Sequence, residues 1–289
     1  MTVNIKDINN KIGSILNTKK ITKAMEMISI TKMRKIELLM KNNRFYIFFM
    51  KKIINNFLLS NYNQKNIFLN NNIKMKKIII IVISTEKGLC GSLNNNLFKK
   101  ILNKINKYKK KNISSKLFIF GLKGYLFFKN NNCNIIKYIN NIQETPNYKE
   151  IFPYLKKIFY MYKKFFFDHI FLANNYFENK IIQIPKIKQI LPFKKKKKNI
   201  YKNIKNYLYE PNKKYLLNKI FKKYFITKIY HSFLENSSCE QASRMISMKN
   251  ATDNSNNMIK NLQVLFNKIR QSNVTQELNE IVSGASAIL

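Results

Sequence analysis

Met245-Ile-Ser-Met248-Lys-Asn-Ala-Thr252-Asp-Asn-Ser255-Asn-Asn-Met-Ile259-Lys-Asn-Leu262-Gln-Val-Leu-Phe266-Asn-Lys-Ile269 decides the fold of this 289-residue chain. Its numbered residues alternate steps of three and four, which is one face of a helix in a heptad repeat. Thr252 and Ser255 make part of that seam small and polar. Pro211 suits the first turn of a helix and no proline follows it, so a helix over 211–286 is predicted. At 1.5 Å per residue it would run roughly 110 Å, too long for a globular core, and so it needs a partner. The other end of the chain supplies one. Ile5, Ile8, Ile12 and Ile15 step by three, four and three, and Ile21, Met25, Ile28, Met33 and Ile36 continue an apolar stripe with a slip in register. Residues 3–55 and 212–286 are predicted to pair antiparallel, with the rest of the chain inserted between them.

The inserted segment changes period. Ile78-Ile-Ile-Ile-Val-Ile83 is a continuous β-branched run, as expected of a strand covered on both faces. Ser84-Thr-Glu-Lys-Gly-Leu-Cys-Gly-Ser-Leu-Asn94 follows, then the amphipathic stretch Leu97–Ile105. Further strands are expected at Lys116–Phe120, around Asn134–Tyr138, at His169–Asn174 and at Ile181–Ile190, the last two as an antiparallel hairpin. Helices are expected at about 122–130 and 147–167. This is a compact, mostly parallel, Rossmann-like α/β domain. Pro192-Phe193 and Lys194–Lys198 read as an exposed loop. The fold class is thus α/β with long helices: a coiled-coil helix over 1–59, the α/β domain over 74–206, and a second coiled-coil helix over 210–289.

Composition narrows the function. The 54 basic residues against 14 acidic give a net charge of +40, which invites a nucleic-acid reading. The excess is concentrated in the middle, where 60–209 hold 31 basic residues, all Lys, and 5 acidic ones, among Asn, Ile, Tyr and Phe, the set that AT-rich codons supply. Arg, the residue suited to bidentate phosphate and base contacts, occurs only at Arg34, Arg44, Arg244 and Arg270. Codon drift and a nucleic-acid face both account for the lysines. No apolar run approaches the ~20 residues of a membrane-spanning helix, and no apolar leader follows Met1. Cys90, Cys133 and Cys239 have neither disulfide nor zinc spacing, and His169 and His231 stand apart from them, so no metal and no cofactor is expected. Gly88 and Gly91 match neither the phosphate-loop nor the dinucleotide spacing. Cys90 lacks a positioned base, and the His231/Glu235 spacing reads as a surface pair. No catalytic residue is proposed.

Four stretches carry a sharper signal. Asn17-Thr-Lys-Lys-Ile-Thr-Lys-Ala-Met-Glu-Met-Ile28, the loop Ser84–Asn94, Glu235-Asn-Ser-Ser-Cys-Glu-Gln-Ala-Ser-Arg-Met-Ile-Ser-Met-Lys-Asn-Ala-Thr-Asp-Asn254, and Asn267-Lys-Ile-Arg-Gln-Ser-Asn-Val-Thr-Gln-Glu-Leu-Asn-Glu-Ile-Val-Ser-Gly-Ala285 resemble, in order and separation, the gamma subunits of F-type ATP synthases. Tyr207-Leu-Tyr-Glu-Pro211 is similar to that family's approach to its last helix.

The resemblance implies a non-catalytic rotor. Its terminal helices would stand as a coiled coil inside a hexamer of alpha and beta subunits, with the α/β domain against the epsilon subunit and the c-ring. It would carry torque from proton flow to ATP synthesis, and meet the membrane only through the complex. Lys23, Lys32, Arg34 and Lys87 would meet an acidic lever segment of the beta subunits, and Arg270, Gln271 and Thr275 a beta-subunit loop. Met25, Met245, Met248, Ile259 and Leu262 would lie in the shaft seam, and the end Ser283–Leu289 would sit in an apolar bearing. The cytoplasmic face of a bacterial inner membrane is the expected location, with a mitochondrial inner membrane second. The alternative is a basic coiled-coil protein that binds nucleic acid.

Overall fold

The computed structural model describes residues 5–59, 68, 75–140, 142–193, 210 and 213–286. Lys194–Lys198, Tyr207–Tyr209 and Pro211, read above as a loop and a helix approach, lie outside the described residues, as do 287–289. The chain divides into two compact units, Met1–Ser29 with Arg244–Leu289, and Ile30–Ser243. Helices α1 (Ile5–Leu59) and α5 (Lys213–Ser286) contribute to both.

In the first unit α1 and α5 pair through one seam. Ile8, Thr22, Glu26 and Ser29 are buried on α1, with Ile5, Ile12, Ile15 and Lys19 half-buried on the intervening steps. Opposite them Met248, Thr252, Ser255 and Ile259 are buried, and Leu262, Phe266 and Ile269 half-buried. The Thr22 and Thr252 hydroxyl oxygens meet across the seam at 2.8 Å. The register does not slip. The three-and-four stepping continues through Lys19, Thr22, Glu26 and Ser29, while Ile21 and Ile28 face outward at 60% and 51% exposure. The apolar residues are off the seam here because small or hydrogen-bonded polar groups fill it: Ser29 Oγ donates to the Met25 carbonyl at 2.8 Å, and Glu26 accepts from Lys23 at 3.0 Å.

In the second unit α1 keeps the same stepping, with Met33, Ile36, Ile47, Met50 and Ile54 buried. Met40 lies against Ser238 of α5, and further along α1 Tyr46 lies under Lys223, so the two helices run antiparallel. Between them the chain forms β1 (Lys77–Ile83), α2 (Leu93–Lys109), β2 (Ser114–Phe120), α3 (Leu122–Asn130), β3 (Ile135–Ile139), α4 (Tyr148–Lys163), β4 (His169–Phe177) and β5 (Gln183–Leu191). One sheet has the order β3-β2-β1-β4-β5, parallel except for the β4–β5 hairpin.

The sheet's winding follows from handedness. From β1 the chain steps to β2 and β3 with α2 and α3 on one face. It then crosses to the far side of β1, and a right-handed crossover in that direction puts α4 on the opposite face. The Ile run of β1 serves both: Ile78, Ile80 and Val82 pack with Leu97, Ile101 and Phe128, and Ile79, Ile81 and Ile83 with Leu155, Ile158 and Phe225. Gly121, at φ +100°, lets the chain leave β2 beside Ser84, whose carbonyl oxygen would lie 2.4 Å from an added Cβ.

Candidate functional site

The reversal of winding between β1 and β4 opens a crevice at the carboxyl ends of the strands, the place where doubly wound sheets commonly hold a ligand. In this chain α5 fills it. Asn236 Oδ1 accepts from the backbone N–H and the side-chain amide of Asn175 at 3.2 and 3.1 Å, Glu235 accepts from Asn174 at 3.3 Å, and Ser243 Oγ donates to the Cys90 carbonyl at 2.6 Å. The loop carrying Gly88 and Gly91 is thereby tied to a helix. Thr85 braces it from within, its hydroxyl donating to the Lys87 carbonyl and accepting from Asn94. Cys90 is buried there, as is Cys239, whose thiol pKa is driven up by burial and by Glu235.

The same edge brings two of the expected contact lysines together. Glu144, between β3 and α4, pairs with Lys32 of α1 through one oxygen and with Lys87 of the loop through the other, the latter at 3.1 Å. Lys87 remains 72% exposed and Lys32 37%. Glu86 closes the neighbouring turn by accepting from the backbone N–H groups of Leu122 and Ile142 at 3.1 and 3.4 Å. Neither acid was legible beforehand, because Glu144 is 112 positions from Lys32 and sits in no repeat.

The other candidates are dispersed. Arg34 is exposed on α1 in the second unit. Lys23 belongs to the first unit, where it is bonded to Glu26. In that unit every residue from Arg270 to Gly284 is exposed, so α5 leaves its seam after Ile269. Thr275 donates to the Gln271 carbonyl at 2.9 Å, and both side chains sit on this exposed length with Arg270. Val274, Leu278, Ile281 and Val282 share it, between 49% and 67% exposed. Of the seam residues, Met248 and Ile259 are buried and Met245 and Leu262 half-buried, while Met25 is half-buried beside the seam position of Glu26.

His231 and Glu235 are not a surface pair. Their Nε2 and Oε1 atoms are 3.4 Å apart with side chains 8% and 12% exposed. Burial works to raise the Glu235 pKa, but the bond and charge of His231, with Lys228 and Lys188, outweigh it and hold the carboxyl below its usual range. His169, opening β4, has its pKa lowered by burial against the pull of Asp168. No cluster of three or more His, Cys, Asp or Glu with metal-binding geometry occurs among the described residues, and no helix among them is long and apolar enough to cross a membrane.

Comparison with known proteins adds to this geometry. The ATP-synt family model, described as ATP synthase, matches residues 4–288. The chain is 49% identical over 287 residues to the ATP synthase gamma chain of Buchnera aphidicola subsp. Schlechtendalia chinensis, covering 98% of each. It is 47% identical over 286 residues to that of Buchnera aphidicola subsp. Schizaphis graminum, again covering 98% of each. Among solved structures it is similar to a chain of the Euglena gracilis mitochondrial ATP synthase OSCP/F1/c-ring assembly in rotational state 3, with TM-score 0.70, 15% identity, and 98% of this chain and 94% of that one covered. It is also similar to one of the Tetrahymena thermophila mitochondrial ATP synthase central stalk and c-ring, with TM-score 0.59, 24% identity, and 80% and 99% covered.

Proposed function

The chain belongs to the ATP synthase gamma-chain family, and we propose that its exposed helix end and its lysine-bearing sheet edge are the two places where it meets the catalytic subunits. As a gamma subunit it is the central rotor stalk of an F-type ATP synthase, working with alpha, beta and epsilon subunits and the c-ring. Residues 1–59 and 210–289 form the shaft and 74–206 the foot that engages epsilon and the ring. Catalysis lies in the beta subunits, and the chain passes them torque. The relatives from Buchnera, a bacterium, favour the cytoplasmic face of a bacterial inner membrane.

The observation that carries this reading is the length of α5 beyond its own seam, where Val274, Leu278, Ile281 and Val282 lie on a helix with every described side chain exposed. A helix end with that much apolar surface calls for a socket. Lys87 and Lys32 would meet acidic groups of a beta subunit in competition with Glu144. Exposed pairs of this kind are worth only ~0–1 kcal/mol, so they can be exchanged at each step of rotation. Arg270 and Gln271 would mark one angular state. The test is reconstitution: the chain, added to alpha and beta subunits lacking gamma, should restore rotation-coupled ATP hydrolysis, and Arg270→Ala with Gln271→Ala should lower coupled turnover without lowering assembly. Unchanged turnover in the assembled double variant would remove both residues from the mechanism.

A further inference from the structure

In the second unit, α1, the β4–β5 hairpin and α5 enclose a cavity of about 310 Å³ whose walls include Lys51, Leu172, Lys188, Ile190, Phe193 and Lys228. A groove of about 690 Å³ beside it shares Lys51, Tyr176, Lys188, Lys228 and Glu235. Three lysines therefore converge on one space from three separate elements.

Lys51 and Lys188 are exposed, while Lys228 is half-buried. Its ammonium has no hydrogen bond or ion pair among the described residues. Burial lowers its pKa first of all, Glu235 opposes, and Lys188 and Lys51 lower it further. Glu235 brings one negative charge against the three cations, and its two oxygens face His231 and Asn174. Lys186 adds a fourth charge to the lining, its ammonium 3.2 Å from the centre of the Tyr176 ring. Lysines on an open face are screened by water and repel one another little. Here they converge beside Leu172, Ile190 and Phe193, and the partial burial of Lys228 weakens that screening for an anion that reaches it.

We propose that this cavity is a binding site for a small phosphate-bearing anion, with its phosphates among Lys51, Lys188 and Lys228 and any apolar body against Leu172, Ile190 and Phe193. The site adjoins the crevice that α5 fills, sharing Asn174 and Glu235 with it, and it requires no chemistry on the ligand. Pyrophosphate carries the phosphates alone and ADP adds an aromatic body, so the two probes separate the sources of affinity.

Isothermal titration of the full-length chain at about 0.15 M salt, where non-specific attraction is reduced, tests it. One saturable site is expected for pyrophosphate, weakened about tenfold or more by Lys228→Met and unaffected by Lys99→Met, which removes an exposed charge on α2. ADP binding more tightly than pyrophosphate assigns the apolar wall to the ligand; equal affinities assign the site to phosphate alone. Lys228→Met removes a half-buried charge, and thermal unfolding without ligand verifies that it folds. Lys188→Glu, placing a carboxylate in the cavity, should abolish binding. No binding, binding that both variants retain, or many ions per chain lost equally with Lys99→Met would overturn the proposal, the last by showing only general attraction to a +40 chain.

Discussion

Replacing Thr22 tests whether the shaft is held together by close approach or by apolar bulk. Its hydroxyl lies 2.8 Å from that of Thr252, and each also reaches a carbonyl one turn back, Lys19 at 3.0 Å and Met248 at 2.9 Å. Two protons thus serve three contacts. Thr22→Val keeps the volume and leaves Thr252 its own carbonyl, so the loss is one shared hydrogen bond, about 1 kcal/mol. Thr252→Val should lose a similar amount. With both changed, two apolar groups of the same shape face each other and the cost should fall to about zero, a coupling of roughly 2 kcal/mol in the double-mutant cycle. Thr22→Ile adds bulk to a seam already closed to hydrogen-bonding distance and should cost about 1–3 kcal/mol. Heptad composition taken alone gives the opposite sign, because a β-branched apolar residue favours such a seam. Native-state hydrogen exchange at residues 19–29 and 248–256 reads this locally. Higher protection in Thr22→Ile than in the parent would refute the close-approach argument.

Three further outcomes follow from the second unit. Gly121→Ala places a Cβ 2.4 Å from the Ser84 carbonyl oxygen at φ +100°, and the strain of about 1–3 kcal/mol plus the clash should lower the thermal midpoint of the full chain by several degrees. Glu235, with its folded pKa depressed, contributes stability that is present above its ordinary value of 4.5 and lost as pH falls through the lower folded value. Denaturation curves of Glu235→Gln and parent should therefore differ at neutral pH and converge in acid; a constant gap would show that the carboxylate's charge is not involved. Glu144→Gln should change stability by less than about 1 kcal/mol, since both its lysines are partly exposed. In the assembled complex it should alter coupled ATPase, because Lys32 and Lys87 are released to the partner; an unaltered rate would separate this triad from torque transfer.

The sheet was readable because its signals are local. The Ile78–Ile83 run read as a strand buried on both faces, and the amphipathic stretch from Leu97 placed α2 within four residues of its observed start at Leu93. The α1 seam was misread for a physical reason. Between Ile15 and Met33 the apolar residues Ile21 and Ile28 face outward and the seam is Lys19, Thr22, Glu26 and Ser29, so a search for hydrophobic residues followed the wrong face. Counting the strict three-and-four step from Ile5 would have found it. The Glu144 bridge and the Asn175–Asn236 contact join residues 112 and 61 positions apart, and no periodicity reports such pairs.

Those long-range polar contacts bear on how a sheet can grip a shaft. The apolar cluster around Phe225, Ile229 and Phe233 holds α5 against the sheet, but hydrophobic adhesion is non-directional and resists sliding or turning of a helix only through its packing. Asn236 is fixed by two donors of Asn175, and Glu235 by His231 and Asn174, all in the buried crevice at the strand ends. Rotating α5 about its axis would pull Asn236 from Asn175 where both are buried, at about 1–3 kcal/mol for each buried group left unpaired. The crevice that other doubly wound sheets give to a ligand here holds a rotational key. Such a key lets torque applied to the sheet reach the helix without slip.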